Sequence, residues 1–344
     1  MSTPKKFIYE AAFIRPIVIL LLVIYHAFII YQGGWSEPEG FEPNKAYWWI
    51  SKLSYAFMLE TFVFISGYIF ALQLPKFEPN FGGGKLLVTN KLKRLILPSI
   101  LFSIIYVVLF YTYESPIKTL YAIINGAGHM WFLPMLFWCF LFAWGLQKLP
   151  LNNTKKMIIL LGAALISFLP LPLRLANAMY YLLFFYGGML IFKQKDRIAK
   201  ILTMKKILLF WVAFLGVFVA LTLLHTSLME GFEHADLVKK VLLFSASKMC
   251  QILYAGLGVW AIYSTALYFT SKHRLSADFI KIGGYCMGVY IFQQFILQII
   301  YYKTSLPILL GSNWLPWVAT IITLILSILG TIILKKLPLA KELI

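Results

Sequence analysis

Three ionisable residues stand inside apolar stretches of this chain, and their spacing suggests chemistry before anything else does. Arg15 and His26 lie eleven residues apart in one apolar run. At 100° per residue, eleven steps make three turns and about 20°, so on a helix both face the same side, about 16 Å apart along the axis. Glu60 sits in a second apolar run, seven residues before Gly67 and therefore on nearly the same face as a residue that admits close approach of a helix or ligand. An imidazole titrates near neutral pH and suits either proton transfer or nucleophilic relay. A carboxylate at its other nitrogen would orient the ring and stabilise the imidazolium. His26 and Glu60 fall at similar depth, so they are expected to meet. The bland alternatives are an Arg15 that snorkels to headgroups, a His26 that only bridges helices, and a Gly67 that only packs.

Two further groups extend the set. His129 opens another apolar run in Gly128-His129-Met130-Trp131-Phe132-Leu133, where it reads as an interfacial histidine or a substrate contact. Lys91 and Arg94, in Asn90-Lys-Leu-Lys-Arg-Leu-Ile-Leu-Pro98, precede a third run. Clustered cations there fit an anion site for phosphate or the ordinary cytoplasmic excess of basic residues. Gly82-Gly83-Gly84 lacks the spacing of a phosphate-binding loop and reads as flexible.

Apolar helices must carry these residues. The chain of 344 residues is 61% hydrophobic and only 13% charged, with a mean hydropathy of +0.81; a soluble domain carries about 25% charged residues. A hydrocarbon core about 30 Å thick needs roughly 20 apolar residues per helix. Runs of that length recur at 13–32, 54–74, 95–113, 129–147, 156–172, 177–193, 206–225, 248–270, 281–302 and 314–335. The expectation is an all-α polytopic membrane bundle of about ten helices, one unit over 1–344, with no room for a separate soluble domain. The first run is read as a retained helix: it carries Arg15 and His26 and no A-x-A site follows it.

Charge tests the layout. With the N-terminus inside, the inner segments hold 22 Lys or Arg, from Lys5 and Lys6 through Arg274 to Lys341, and the outer segments hold eight, among them Lys52, Arg174 and Lys248. That alternation places both termini in the cytoplasm. It also accounts for the net charge of +18 without nucleic acid as a partner. Cys139, Cys250 and Cys286 all fall in apolar runs and predict no disulfide. The longer outer loops, 33–53 and 226–247, carry Glu37, Glu39, Glu42, Glu230, Glu233 and Asp236 with Trp35, Tyr47, Trp48 and Trp49. Those rings read as interfacial anchors or as carbohydrate contacts. The Asn152-Asn153-Thr154 sequon falls in an inner loop, where it goes unused.

The residues reached so far resemble the acyltransferase-3 family of integral membrane acyltransferases, whose members modify sugars, polysaccharides and other exported molecules. Four patches carry the resemblance: Arg15-x10-His26; Glu60 six residues before Ser66-Gly67-Tyr68; Lys91-x-x-Arg94 leading to Leu97-Pro98; and Gly128-His129-x-Trp131-Phe132-Leu133. The resemblance implies transfer of an acyl group, most simply acetyl, from cytoplasmic acyl-CoA to a hydroxyl of a sugar, surface polysaccharide or lipid-linked glycan, with no tightly bound cofactor and no metal. It implies His26 and Glu60 as catalytic, Arg15, Lys91 and Arg94 on the CoA, and Ser66, His129, Trp131, Tyr290 and Gln293 on the substrate. It further implies a multi-pass protein of the bacterial inner membrane, in contact with lipid and with partners from envelope biosynthesis. Two positions depart from the family pattern: Lys91 replaces a frequent Arg, and Gln293, in Gly288-Val-Tyr290-Ile-Phe-Gln293, replaces a frequent His that can take a proton. With no esterase-like domain after the tenth run, transfer is expected to finish in the membrane unit or on a separate partner.

The same intramembrane Arg, His and Glu suit a proton-coupled carrier or flippase for a glycan or small anion, although the sequence has no inverted repeat. A scaffold subunit would use them as a polar packing cluster.

Overall fold

All regular structure among the described residues is helical. The computed structural model describes residues 8–77, 81–111, 115–229, 236–273 and 275–336; Lys5, Lys6, Glu230, Glu233, Arg274 and Lys341 lie outside the described residues. In chain order the helices are α1 (Tyr9–Phe28), α2 (Lys45–Tyr55), α3 (Met58–Gln73), α4 (Phe81–Lys91), α5 (Leu97–Phe110), α6 (Pro116–Asn125), α7 (Phe132–Lys148), α8 (Asn153–Leu165), α9 (Leu175–Ile201), α10 (Met204–Met229), α11 (Leu237–Lys272), α12 (Ala277–Ile282), α13 (Cys286–Lys303) and α14 (Leu306–Lys336). Local signals start several of them. Asn44, Ser115, Asn152, Asp236 and Ser276 each accept a backbone N–H of the first turn with their own side chain, which satisfies a donor that the helix leaves free.

Eight helical stretches among the described residues are long and apolar enough to cross a membrane. The fifth and ninth expected spans are not among them. α8 has 13 residues, about 20 Å of helix, and ends at Leu165 rather than near 172. α13 has 18 residues and its apolar run is interrupted by Gln293, Gln294 and Gln298. Elsewhere the helices outgrow their expected limits. α9 continues to Ile201, α11 begins at Leu237, and the loop expected at 33–53 contains most of α2. Gly82-Gly83-Gly84, read as flexible, falls inside α4. A π-helical turn at Leu92–Ile96 joins α4 to α5 and contains Arg94. α14 carries a break at Gly311 (φ 62°, ψ 171°).

Polar contacts define the two ends of the bundle. At one end Lys195 Nζ pairs with Glu10 Oε1 at 2.8 Å and Lys335 Nζ donates to the Gly284 carbonyl at 2.6 Å. At the other, Tyr31 donates to the Ser312 carbonyl, Tyr47 to the Asn313 carbonyl at 2.8 Å, and Trp317 Nε1 to the Tyr47 hydroxyl at 3.1 Å. The first end gathers the basic segments around Lys148, Lys195 and Lys335, in line with the charge partition.

α3 and α9 make the most extensive helix pairing in the bundle. They run parallel and cross without side chains between their backbones. A Cβ at Gly67 would overlap the Phe185 carbonyl, and one at Gly188 would overlap the Phe64 carbonyl. Small residues permit such an approach where apolar lipid supplies no hydrophobic drive. Gly187, one residue away, has open space at the same position. Gly67→Ala and Gly188→Ala are therefore expected to cost about 1–3 kcal/mol from overpacking, read as a fall in thermal unfolding midpoint in detergent. Gly187→Ala serves as the control with no fall. Equal midpoints for all three would dismiss the close crossing.

Candidate functional site

The apolar face of α1 builds the site. Arg15, Ile19, Leu22, His26 and Ile29 line two adjoining cavities, and their spacing of four, three, four and three residues keeps them on one helix face. The first cavity, about 280 Å³, reaches Arg15 and is otherwise mostly apolar, with Leu95, Phe132, Leu136, Ser66 and Cys286 in its wall. The second, about 190 Å³, holds His26, His129, Tyr25, Tyr55, Trp131 and Gln294. Leu22, Leu59, Phe132 and Tyr290 belong to both walls and form the partition between the cavities. Among the described residues Arg15 has neither a hydrogen bond nor a carboxylate partner.

His26 is held by its own helix. Its Nδ1 lies 3.1 Å from the Leu22 carbonyl, one turn back. A carbonyl only accepts, so Nδ1 carries the proton and Nε2 keeps its lone pair. The Trp35 ring lies nearly parallel to the imidazole (centroids 5.9 Å, planes 19° apart), and Tyr25 packs beside it at 4.9 Å. His129 has an accepting oxygen beside each ring nitrogen, Gln294 Oε1 at 2.5 Å from Nδ1 and the Ile291 carbonyl at 2.9 Å from Nε2, and a neutral ring donates to one of them. Its backbone N–H donates to the same Gln294 oxygen at 2.6 Å, and its carbonyl accepts from Tyr290 at 2.7 Å. The two imidazoles stand 6.4 Å apart, edge to face. His26 thus offers a free lone pair, whereas His129 is fixed in place.

The turn that delivers His129 has its own support. Gly126 and Gly128 adopt φ of 80° and 54°, a region open to glycine at no steric cost. Arg174 Nε donates to the Asn125 carbonyl at 2.8 Å and Nη2 to the Gly126 carbonyl at 3.5 Å. Its guanidinium carbon lies 5.9 Å from the centre of the Trp131 ring. Burial holds this guanidinium below its ordinary pKa.

Glu60 is 1% exposed and does not face His26. Its Oε1 accepts from Tyr180 at 2.9 Å, and Lys248 and Gln251 stand nearby. The expected His26–Glu60 pair is therefore replaced by two separate arrangements, His26 on the Leu22 carbonyl and Glu60 on Tyr180. Tyr55 stands near Glu60 and lines the His26 cavity.

The remaining expected residues divide. Ser66 and Tyr290 line the Arg15 cavity; Trp131, His129 and Tyr290 line the His26 cavity. Gln293 is fully buried and reaches toward His26, yet neither polar atom of its amide has a hydrogen-bond partner among the described residues. Its neighbour Gln294, which the sequence reading passed over, lines the cavity. The Lys91 ammonium sits 3.4 Å from the centre of the Phe140 ring and 6.0 Å from that of Phe70. Arg94 is exposed on the π-helical turn beside Leu95 of the Arg15 cavity. Tyr25, Tyr55, Gln294 and Arg174 were missed. Only the doubled glutamine carried a visible signal.

This is a helical membrane unit with a histidine that has one free nitrogen and lines one of two adjoining cavities. The acyltransferase-domain model of the acyltransferase-3 family matches residues 8–336, so the chain belongs to that family and is an acyltransferase acting on groups other than aminoacyl. No curated protein and no solved structure matches the chain. Gln294→Ala would release His129 Nδ1 and its backbone N–H together. Losing hydrogen bonds worth about 1–3 kcal/mol is expected to lower the transfer rate ten- to hundredfold; an unchanged rate in a single-turnover assay would show that transfer does not depend on Gln294 holding His129.

Proposed function

We propose that this protein moves an acyl group, most simply acetyl, from cytoplasmic acyl-CoA to a hydroxyl of a sugar, surface polysaccharide or lipid-linked glycan. We read it as a multi-pass protein of the bacterial inner membrane whose basic end faces the cytoplasm. One observation carries the reading: two cavities share a four-residue partition, one reaching the unpaired Arg15 and the other the free Nε2 of His26.

In this reading the phosphates of the donor meet Arg15, with Arg94 at the basic end, and the thioester arm extends along the apolar first cavity toward the partition. The acceptor hydroxyl enters the second cavity from the opposite end. The His26 lone pair serves as general base or as acyl relay. In the direct route Nε2 takes the hydroxyl proton, the oxygen bonds to the acyl carbon, the carbon–sulfur bond breaks, and the proton finishes on the CoA sulfur. In the relay route Nε2 bonds to the acyl carbon as the carbon–sulfur bond breaks and CoA departs as thiolate; the acceptor oxygen then bonds to that carbon as the carbon–nitrogen bond breaks, and its proton finishes on the CoA sulfur. Nδ1–H, held on Leu22, shares the positive charge that forms on the ring in both. Family membership favours this reading over a carrier or a scaffold.

Two experiments test it. Radiolabelled acetyl-CoA is supplied to membranes of the native host that lack the chromosomal copy and express wild type, His26→Ala or empty vector. Label is expected in a glycan or lipid fraction with wild type only, and His26→Ala is expected to lose about 10²–10⁴-fold; equal label in wild type and variant removes His26 from the mechanism. Arg15→Ala is expected to raise KM for acetyl-CoA about ten- to hundredfold, as charge-assisted bonds of about 1.5–3 kcal/mol are lost, with kcat nearly kept. A fall confined to kcat would move Arg15 from the donor phosphates to the reacting centre.

A further inference from the structure

Arg174 has no part in the donor route, yet its guanidinium carbon lies 5.9 Å from the centre of the Trp131 ring, which lines the His26 cavity. Its Cα and that of Leu173 both take positive φ, 61° and 54°. Two consecutive non-glycine residues in this region cost about 1–2 kcal/mol each, and they persist only where the surroundings impose them. The Leu173 carbonyl is held by Trp138 Nε1 at 2.8 Å, and Arg174 by the Asn125 and Gly126 carbonyls. Those bonds use two of the five N–H groups of a guanidinium. Among the described residues no carboxylate pairs with it. A part-buried cation without a counter-ion, anchored on backbone and set over a cavity tryptophan, lacks the anion that would offset its desolvation.

We infer that Arg174 binds an anionic oxygen group of the acceptor, a carboxylate or a phosphate, while Trp131 beneath it packs on the sugar ring. This rests on the acceptor entering the His26 cavity, as proposed above. The planar guanidinium offers its remaining N–H groups to two oxygens at once. The aromatic face beside it suits a carbohydrate plane. Arg15 and Arg174 then bracket His26: one cation for the donor and one for the acceptor.

The test reads binding rather than transfer, so it stands apart from the acyltransferase reading. Purified protein in detergent is titrated with glucose, glucuronate and glucose 6-phosphate, and the rise in thermal unfolding midpoint gives the affinity of each. Wild type is expected to bind at least one of the two anions roughly ten- to hundredfold more tightly than glucose. A stronger response to glucuronate assigns a carboxylate, and one to glucose 6-phosphate a phosphate. Arg174→Gln is expected to bring all three sugars to the affinity of glucose. Arg174→Lys, which keeps the charge without the fork, is expected to retain part of the preference. Equal binding of the three by wild type, a preference undiminished in Arg174→Gln, or its complete loss in Arg174→Lys overturns the assignment. Absence of acetyl transfer alongside a preserved anion preference would instead count against the donor reading.

Discussion

The hydrogen bond between His26 Nδ1 and the Leu22 carbonyl, at 3.1 Å, shapes everything around it. A helix carbonyl already accepts from the backbone four residues on, but its second lone pair remains for a side chain one turn away. The bond selects the tautomer without help from another element. It leaves Nε2 as the available lone pair inside an apolar bundle, where water is scarce and an unpaired polar group is costly. The open ring nitrogen is thereby fixed to the face of one helix that also carries Arg15.

Around that fixed ring the other polar groups separate into those that are spent and those that are not. His129 spends its ring donor, its backbone N–H and its carbonyl on α13. Lys91 spends its charge on Phe140, and Glu60 has Tyr180. Among the described residues Arg15 and Arg174 remain without a carboxylate partner. In a medium that penalises every unpaired charge, a cation left open is informative about what must arrive to pair with it.

The scaffold that holds this geometry depends on close backbone approach as much as on apolar burial. Lipid tails compete equally for apolar side chains, so helix pairs gain from tight contact and interhelical hydrogen bonds. The Gly67–Phe185 and Gly188–Phe64 contacts seat α9 against α3, and that seating brings Tyr180 to Glu60 and Arg174, just before α9, to the His129 turn. The close crossing therefore reaches the site through α9.

Much of the fold was legible in the residues alone. Hydropathy located the membrane helices, since apolar length is a property of consecutive residues. The Arg15–His26 pairing followed from helical periodicity, which the chain cannot evade once it is helical. Short-range signals failed where the partner is distant in sequence. Nothing near Glu60 marks Tyr180 as its donor, nothing near Lys91 marks Phe140, and Gln293 and Gln294 differ only by the 100° that turns one behind His26 and the other into the cavity. α8 and α13 show the same limit, because their lengths answer to neighbouring helices rather than to bilayer thickness alone. By itself, then, the sequence determined a polytopic helical membrane protein with arginine and histidine on one face of its first helix. Which side chains pair, which charges stay open and where two cavities meet were decided by tertiary structure, because a buried polar group takes whichever partner packing brings within hydrogen-bond reach.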